Sequence, residues 1–183
     1  LEINKFLDTL IVGAGFAGMY SLYKQKLDGF NAEIFEQGDG VGGTWYWNRY
    51  PGARCDIESM DYSYSFSKEL QQEWDWQDKY GTQPELLKYA NYVCNKFNLK
   101  ENINFNKKII KAKFNKNTNK WLIETNDNQL IECKYLILAT GNLSTPNTPN
   151  ITGMTKFKGN VYHTGAWPKQ MPDFKGRTVG IIG

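Results

Sequence analysis

The sequence predicts an α/β fold in which a parallel sheet is combined with an antiparallel β-meander. Two observations support this prediction. Within residues 6–35, a strand, a glycine-rich turn, a helix and a second strand follow one another. Further along, short strand-like segments alternate with asparagine-rich turns, which is typical of a meander. The chain has 183 residues, of which 40% are hydrophobic and 15% aromatic, enough for a well-packed core.

The first unit begins with an apolar run from Phe6 to Val12, whose β-branched residues are typical of a buried strand. Apolar positions at helical spacing predict a helix from Ala17 to Leu27, and Gly29 ends it. The next strand is predicted at Ala32 to Phe35, directly before Glu36. Together these elements form a strand–turn–helix–strand unit, whose two strands we expect to pair in parallel.

The later elements follow a loop at residues 38–54 that is rich in glycine and aromatic side chains. The sequence Thr82-Gln83-Pro84-Glu85 predicts a capping box and a helix that extends to about Phe97. The meander is predicted from three segments: 109–114, 120–125 and 130–133. A further buried strand is predicted at 135–139, ending at Thr140-Gly141, and the proline-containing stretch 144–152 is a predicted linker.

The turn after the first strand has the pattern G-x-G-x-x-G, with glycines at 13, 15 and 18. Gly13 would permit the tight turn, Gly15 would let the backbone approach a diphosphate, and Gly18 would let helix and strand pack closely. The helix N-terminus offers unpaired N–H groups to phosphates, and Glu36, 18 residues after Gly18, can accept hydrogen bonds from a ribose. This context predicts a dinucleotide site, the alternative being a glycine-rich turn in an unrelated α/β domain. The motif itself does not choose between FAD and NAD.

Composition argues against several other classes of function. The net charge of +3 is small and scattered, so nothing indicates nucleic-acid binding, and the basic stretch 107–116 is predicted to be a solvated face. Cys55, Cys94 and Cys133 lack metal or redox spacing, which favours reduced thiols in a cytoplasmic protein. The single histidine, His163, argues against a histidine-based metal site. The apolar runs are too short for a membrane span, so we expect a soluble protein.

Two longer motifs point to a family. Residues 42–56 fit the pattern G-G-x-W-x-x-x-x-Y-P-G-x-x-x-D, and residues 157–168 fit F-x-G-x-x-x-H-x-x-x-W-P. In both, the chain resembles the Baeyer–Villiger monooxygenases, along essentially its whole length. Flavin monooxygenases that oxidise nitrogen or sulfur share the general plan, but their second motif usually lacks the terminal Trp-Pro.

The resemblance implies a Rossmann-like FAD-binding domain over residues 1–141, comprising the parallel sheet and the β-meander. Residues 142–176 would be a linker that carries the second motif. Residues 177–183 would be the first strand of a second, NADP-binding domain, truncated at Gly183, the first glycine of its own nucleotide loop.

The resemblance also implies roles for individual residues. The ADP half of FAD would be bound by Gly13, Gly15, Phe16, Gly18 and Glu36. The ribityl chain and isoalloxazine would be lined by Thr44, Trp45 and Trp47, and further contacts would come from Tyr62 and from the backbone of Ile109. The alternative for each tryptophan is an ordinary aromatic residue of the core.

The resemblance places Asp56 beside the nicotinamide as a catalytic residue, paired with an arginine beyond residue 183. The alternative is that Asp56 caps the turn at Ile57. Arg54 and Cys55 would lie near NADPH. For His163, the second residue taken as catalytic, we favour a conformational role over proton transfer, with Trp167 and Pro168 stiffening the same linker.

The implied reaction uses NADPH to reduce FAD, after which dioxygen supplies one oxygen atom that is inserted into a ketone to give an ester or lactone. The alternatives are oxidation of nitrogen or sulfur, or, for this segment alone, a non-catalytic FAD-binding module. A disulfide reductase is disfavoured because no paired cysteines follow the first helix. The motifs leave the ketone, the oligomeric state and the choice between NADPH and NADH open, and we expect the segment alone to be inactive.

Overall fold

The computed structural model describes residues 2–183 and contains one six-stranded sheet with the strand order β3-β2-β1-β6-β5-β4. The strands are β1 Lys5–Val12, β2 Ala32–Phe35, β3 Ile103–Asn104, β4 Ile109–Asn115, β5 Lys120–Thr125 and β6 Leu130–Leu138. The helices are α1 Phe16–Leu27, α2 Thr44–Trp47, α3 Ser59–Tyr62, α4 Lys68–Glu73 and α5 Gln83–Lys96.

Strand β1 is the centre of the sheet and pairs in parallel with both β2 and β6, while β3 adds to β2 in parallel. The meander β4–β5–β6 is antiparallel. The predicted α/β fold with a parallel sheet and an antiparallel meander is therefore confirmed. Both parts form one continuous sheet because β6 belongs to each of them.

The predicted division of β6 into a meander strand and a separate buried strand is wrong. The residues 130–138 form one strand, whose first half pairs with both β5 and β1 and whose second half pairs with β1 alone. Lys134 does not interrupt it because that side chain is exposed, as alternation along a strand allows. The second half is also less buried than predicted, since Tyr135 and Leu138 are exposed.

Two hydrophobic clusters lie on the central strand. In one, Ile11 and Ile34 pack against Met19 and Leu22 of α1, and this cluster continues into α5. In the other, Leu7 and Leu10 pack with Ile123 and Ile131 of the meander. Because β1 is covered on both faces, its last three residues, Leu10-Ile11-Val12, are continuously apolar rather than alternating. This packing on both faces holds the carboxyl ends of β1, β2 and β6 in place.

The prediction of a capping box at the start of α5 is wrong, although the helix does begin directly after Thr82, as the sequence predicts. Thr82 is the N-cap residue, but its side chain makes no capping hydrogen bond. Glu85, the other half of the predicted box, instead accepts a hydrogen bond from the backbone N–H of Gln77 at 2.7 Å. The preceding loop folds back over the helix and supplies a competing donor, which local sequence does not reveal.

The segment after β6 contains no strand. Over residues 142–176 the only regular elements are two 3₁₀ turns, Met154–Lys156 and Thr164–Ala166. The strand predicted at residues 177–183 is not formed, and Ile181 is 88% exposed. A strand needs a neighbour for its backbone hydrogen bonds, and no described residue pairs with this segment.

No helix in residues 2–183 is long and apolar enough to cross a membrane. The cysteines are free and buried, and each belongs to a different hydrophobic cluster: Cys94 beside α1, Cys133 in the meander and Cys55 near α2. Burial raises the pKa of the Cys133 thiol from 9.0 to about 11. The thiol of Cys94 has a raised pKa for the same reason.

The raised pKa of Cys133 predicts how stability depends on pH. The folded state binds the thiol proton more tightly than the unfolded state, so this contribution is complete below pH 9 and is lost as the pH approaches 11. We expect the free energy of unfolding of the intact protein to fall between pH 9 and 11 by about 2 kcal/mol more than in a Cys133→Ala variant. Urea unfolding at several pH values measures this. Equal pH dependence in both proteins would contradict the prediction.

The contact between α1 and the glycine turn gives a second prediction. A Cβ at Gly18 would overlap the carbonyl oxygen of Gly13. We expect Gly18→Ala to destabilise the intact protein by about 1–3 kcal/mol, because a backbone overlap cannot be relieved by side-chain rotation. Lys24→Ala is the control, because Lys24 is an exposed residue of the same helix. Thermal unfolding followed by circular dichroism should separate the two variants, and equal melting temperatures would rule out the close contact.

Candidate functional site

The glycine turn lies where β1 and β6 end. Gly13 has φ +101°, and a Cβ there would lie 2.6 Å from the carbonyl oxygen of Ala139, which follows β6. The turn is therefore both left-handed and in contact with the neighbouring strand, and only glycine satisfies both conditions. Helix α1 begins directly afterwards with Gly15 as its N-cap residue. The first N–H groups of an α-helix have no partner within the helix. Gly15 has no side chain to cap those of α1, so they remain available to a ligand.

A second glycine pair crosses this turn. A Cβ on Gly43 would lie 2.8 Å from the Cα of Gly15, and the N–H of Gly42 donates to the carbonyl of Ala14 at 3.0 Å. Gly42 and Gly43 have φ +118° and +54°. The motif at residues 42–56 is called the first fingerprint below, and the motif at residues 157–168 the second. The first fingerprint begins with two glycines because its backbone packs directly on the glycine turn. The sequence analysis missed this contact, for which the adjacent glycines were the available signal.

Glu36 is a buried carboxylate fixed by backbone donors. Its oxygens accept hydrogen bonds from the N–H groups of Ala14 at 2.8 Å and Gly38 at 2.7 Å, and its side chain is almost fully buried. Each carboxylate oxygen has two acceptor positions, so one remains on each for a ligand hydroxyl. The residue thus joins the glycine turn to the loop that follows β2.

These groups line one cavity of about 490 Å³. Nine of the predicted cofactor residues contribute to it: Gly13, Gly15, Phe16, Glu36, Thr44, Trp45, Trp47, Tyr62 and Ile109. Thr140 and Gly141 also line it, as do Lys107 and Lys108, which the sequence analysis assigned only to a solvated face. Gly18 does not line the cavity, and it acts instead at the helix–turn contact. The cavity therefore combines backbone donors, a fixed acid and an aromatic wall.

The aromatic wall of the cavity consists of Phe16, Trp45 and Tyr62, which are joined by one hydrogen bond and by ring contacts. The indole N–H of Trp45 donates to the hydroxyl of Tyr62 at 2.8 Å, and the two rings meet edge-on with centroids 5.9 Å apart. The ring of Phe16 also meets the ring of Tyr62 edge-on, with centroids 5.3 Å apart. Burial raises the pKa of Tyr62 above its ordinary value, with Cys55 and Asp56 adding to the shift. Tyr62 is therefore a neutral hydrogen-bonding group. Trp45 lines the cavity and also belongs to a buried hydrophobic cluster, so both predicted alternatives for this tryptophan apply.

The end of the first fingerprint does not line the cavity. Arg54 donates to the carbonyl of Tyr80 at 2.6 Å, and Cys55 is buried against Trp45. Asp56 is exposed, and within residues 2–183 its carboxylate has no hydrogen bond or ion pair. The alternative that Asp56 caps the turn at Ile57 is wrong, because that N–H donates to the sulfur of Cys55 at 3.5 Å.

His163 lies in the linker, outside the cavity lining. Its Nδ1 accepts from the N–H of Gly165 at 3.0 Å, and its Nε2 lies 3.2 Å from the carbonyl of Asn147. Since Nδ1 is an acceptor here, Nε2 carries the proton and donates to Asn147. The imidazole therefore connects the 3₁₀ turn after it to the start of the linker.

Three comparisons with known proteins agree with this geometry. A family model described as pyridine nucleotide-disulphide oxidoreductase matches residues 10–183. The chain is 42% identical over 177 residues to a Baeyer-Villiger monooxygenase of Pseudooceanicola batsensis, and equally to a phenazine N-monooxygenase of Lysobacter antibioticus. Each alignment covers 96% of this chain and 32% of the relative. A solved structure of an oxidized steroid monooxygenase bound to NADP superposes with a TM-score of 0.88 at 44% identity, covering 93% of this chain and 33% of that one.

The chain thus spans about a third of the length of the relatives it matches. The similarity to Baeyer–Villiger monooxygenases, predicted from the two fingerprints, is confirmed. Because the family model covers the chain from residue 10 to its last residue, the chain belongs to the pyridine nucleotide-disulphide oxidoreductase family.

Proposed function

We propose that the chain binds FAD, with the ADP half on the glycine turn and the flavin end at the aromatic wall. The observation that carries this proposal is the single cavity shared by Glu36, the glycine turn and Trp45. The chemistry of these groups fits the cofactor. Unpaired N–H groups at the start of α1 suit a diphosphate, and the fixed carboxylate suits a ribose diol. The rings of Phe16, Trp45 and Tyr62 suit a flat, partly apolar ring system.

For the whole protein we propose an FAD- and NADPH-dependent monooxygenase that inserts one atom of dioxygen into a ketone, giving an ester or lactone. Both fingerprints and the Baeyer-Villiger relative support it. FAD, when bound, supplies the redox chemistry with NADPH and dioxygen. The chain's own residues hold that cofactor and exclude water: the Trp45–Tyr62 hydrogen bond fixes the wall, and Phe16 closes it from α1.

Asp56 and His163 have different proposed roles in that reaction. The exposed, unpaired carboxylate of Asp56 supports pairing with an arginine from the rest of the protein, beside the nicotinamide and near Arg54 and Cys55. The two hydrogen bonds of His163 support a conformational role, because both partners are backbone groups of the linker and the imidazole lies outside the cavity lining. Gly18 would serve the cofactor indirectly, through the contact that sets the turn.

The domain boundaries remain part of this proposal: an FAD-binding domain at 1–141, a linker at 142–176 and the beginning of an NADP-binding domain at 177–183. The partners we propose are a small ketone and dioxygen, with neither nucleic acid nor membrane. Buried, unoxidised cysteines support a cytoplasmic location. Their separation into three clusters disfavours disulfide reduction despite the description of the family.

A second candidate is oxidation of nitrogen or sulfur. It is supported by the phenazine N-monooxygenase, which is as similar to this chain as the Baeyer-Villiger relative. The two reactions share the cofactor cavity and differ in the group that is oxidised, so the cavity itself favours neither. A non-catalytic FAD-binding module is the third candidate for this segment alone.

The proposed FAD site makes a prediction for Glu36. Replacing it with glutamine removes the charge that would accept ribose hydroxyls, so we expect the affinity of the intact protein for FAD to fall about tenfold. The affinity for FMN, which lacks the adenosine ribose, should change much less. Fluorescence titration of the flavin-free protein measures both. Glu101→Gln is the control, since Glu101 is exposed and does not line the cavity. Equal losses for FAD and FMN would contradict the ribose contact.

The proposed reaction predicts a product. With NADPH, dioxygen and a cyclic ketone, we expect the intact protein to form a lactone that contains one ¹⁸O atom when the gas is ¹⁸O₂. Mass spectrometry of the products tests this, with a thioether and a heteroaromatic amine as parallel substrates. Oxidation of only the sulfur or nitrogen compound would establish the second candidate instead. NADPH consumption that yields hydrogen peroxide alone would refute both.

A further inference from the structure

One salt bridge is the only polar connection between the linker and the rest of the described chain. Within residues 2–183, the hydrogen bonds formed by residues 142–183 are internal to that segment, with one exception. The exception joins Lys169 Nζ to Asp39 Oδ2 at 2.6 Å. None of the four hydrophobic clusters includes a residue from this segment. Beyond residues 143–145, which line the cavity, the polar attachment of the linker to the domain therefore depends on one pair of side chains.

Asp39 connects this salt bridge to Tyr46. The hydroxyl of Tyr46 donates to the second oxygen of Asp39, and the backbone N–H of Asp39 donates to that hydroxyl at 3.3 Å. The ammonium of Lys169 lies 6.0 Å from the centroid of the Tyr46 ring. Hydrogen bonds from Lys169 and Tyr46 hold the pKa of Asp39 below its usual value. The side chains of Asp39, Tyr46 and Lys169 thus form one connected polar group.

Tyr46 in turn contacts the cavity wall. Its ring is enclosed by Gly38 and Gly40, where a Cβ would lie 2.8 and 2.9 Å from ring carbons. It meets the cavity residue Trp47 edge-on, with centroids 4.8 Å apart. The N–H of Gly38 is one of the two donors that fix Glu36. A displacement of Tyr46 would therefore reach both Trp47 and the Glu36 carboxylate.

The salt bridge itself is weak and reversible. The side chains of Lys169 and Asp39 are 65% and 53% exposed. Exposed pairs contribute little and are screened by salt. By contrast, Glu36 is held by two backbone donors in a buried position. The domain is thus fixed, whereas the linker is attached by a contact that can open.

We propose that Lys169 and Asp39 form a reversible tether that holds the linker of the second fingerprint against the FAD-binding domain, and that Tyr46 transmits the state of this tether to the cavity wall. Lys169 and Asp39 are positioning residues, since neither lines the cavity. Pro168, directly before Lys169, restricts the backbone from which the lysine extends. The transmission to the cavity rests on the proposed FAD site, whereas the tether does not.

A charge exchange in the intact protein tests the tether. Lys169→Glu and Asp39→Lys should each make the linker about three- to fivefold more susceptible to chymotrypsin, which cleaves after aromatic residues such as Phe157 and Tyr162. The double variant should restore cleavage to within twofold of the wild-type rate. Sodium chloride at 0.5 M should accelerate cleavage of the wild type but not of Asp39→Asn, a milder variant that guards against misfolding. Lys116→Glu is the control, because Lys116 is an exposed lysine of the turn between β4 and β5, forms no ion pair within residues 2–183 and does not adjoin a cleavage site of the linker.

Flavin titration of the same variants tests the transmission. We expect each single variant to bind FAD two- to fivefold more weakly and the double variant to recover. Wild-type cleavage rates in all single variants would overturn the tether. Altered cleavage with unchanged FAD affinity would overturn the transmission through Tyr46. If the wild type takes up no FAD, the proposed function fails, while the proteolysis still decides the tether on its own.

Discussion

The site depends on backbone contacts that leave no room for a Cβ atom. The turn after β1 is in contact with the end of β6 at Gly13, with α1 at Gly18 and with the first fingerprint at Gly43. Three segments that are far apart in sequence therefore meet at one point. Side chains would push them apart, so the close approach of the backbone that a diphosphate needs and the packing of the sheet depend on the same atoms.

Around this point, the cavity is built from groups whose orientation is already fixed. Glu36 is restrained by two N–H donors, and Trp45 by its hydrogen bond to Tyr62. A ligand that binds between them does not have to order these side chains, which lowers the entropic cost of binding. The aromatic wall also belongs to the core through Cys55 and Leu86, so its stability comes from packing as well as from the polar contact.

The sequence predicts those features that depend on short-range pattern. The strand–turn–helix–strand unit and the meander have local signatures, and the positions of Glu36 and Trp45 in the cavity follow from motifs. It does not predict features that depend on distant partners. Glu85 is diverted by a donor from another loop, and β6 is one strand because β1 pairs along its whole length. The Lys169–Asp39 contact joins residues 130 positions apart, and no periodicity indicates it.

The contrast between Glu36 and Asp39, three residues apart, explains how one short loop can serve two purposes. The buried carboxylate is held by backbone donors that cannot leave, so it contributes a fixed acceptor to the cavity. The exposed carboxylate is held by a lysine from a separate segment, whose release costs little because water and salt replace it. Gly38 donates to the buried carboxylate and Tyr46 to the exposed one, and a Cβ at Gly38 would lie 2.8 Å from the Tyr46 ring. The proposed tether is of the second kind, so releasing the linker would cost little, whereas an attachment as buried as that of Glu36 would cost much more to break.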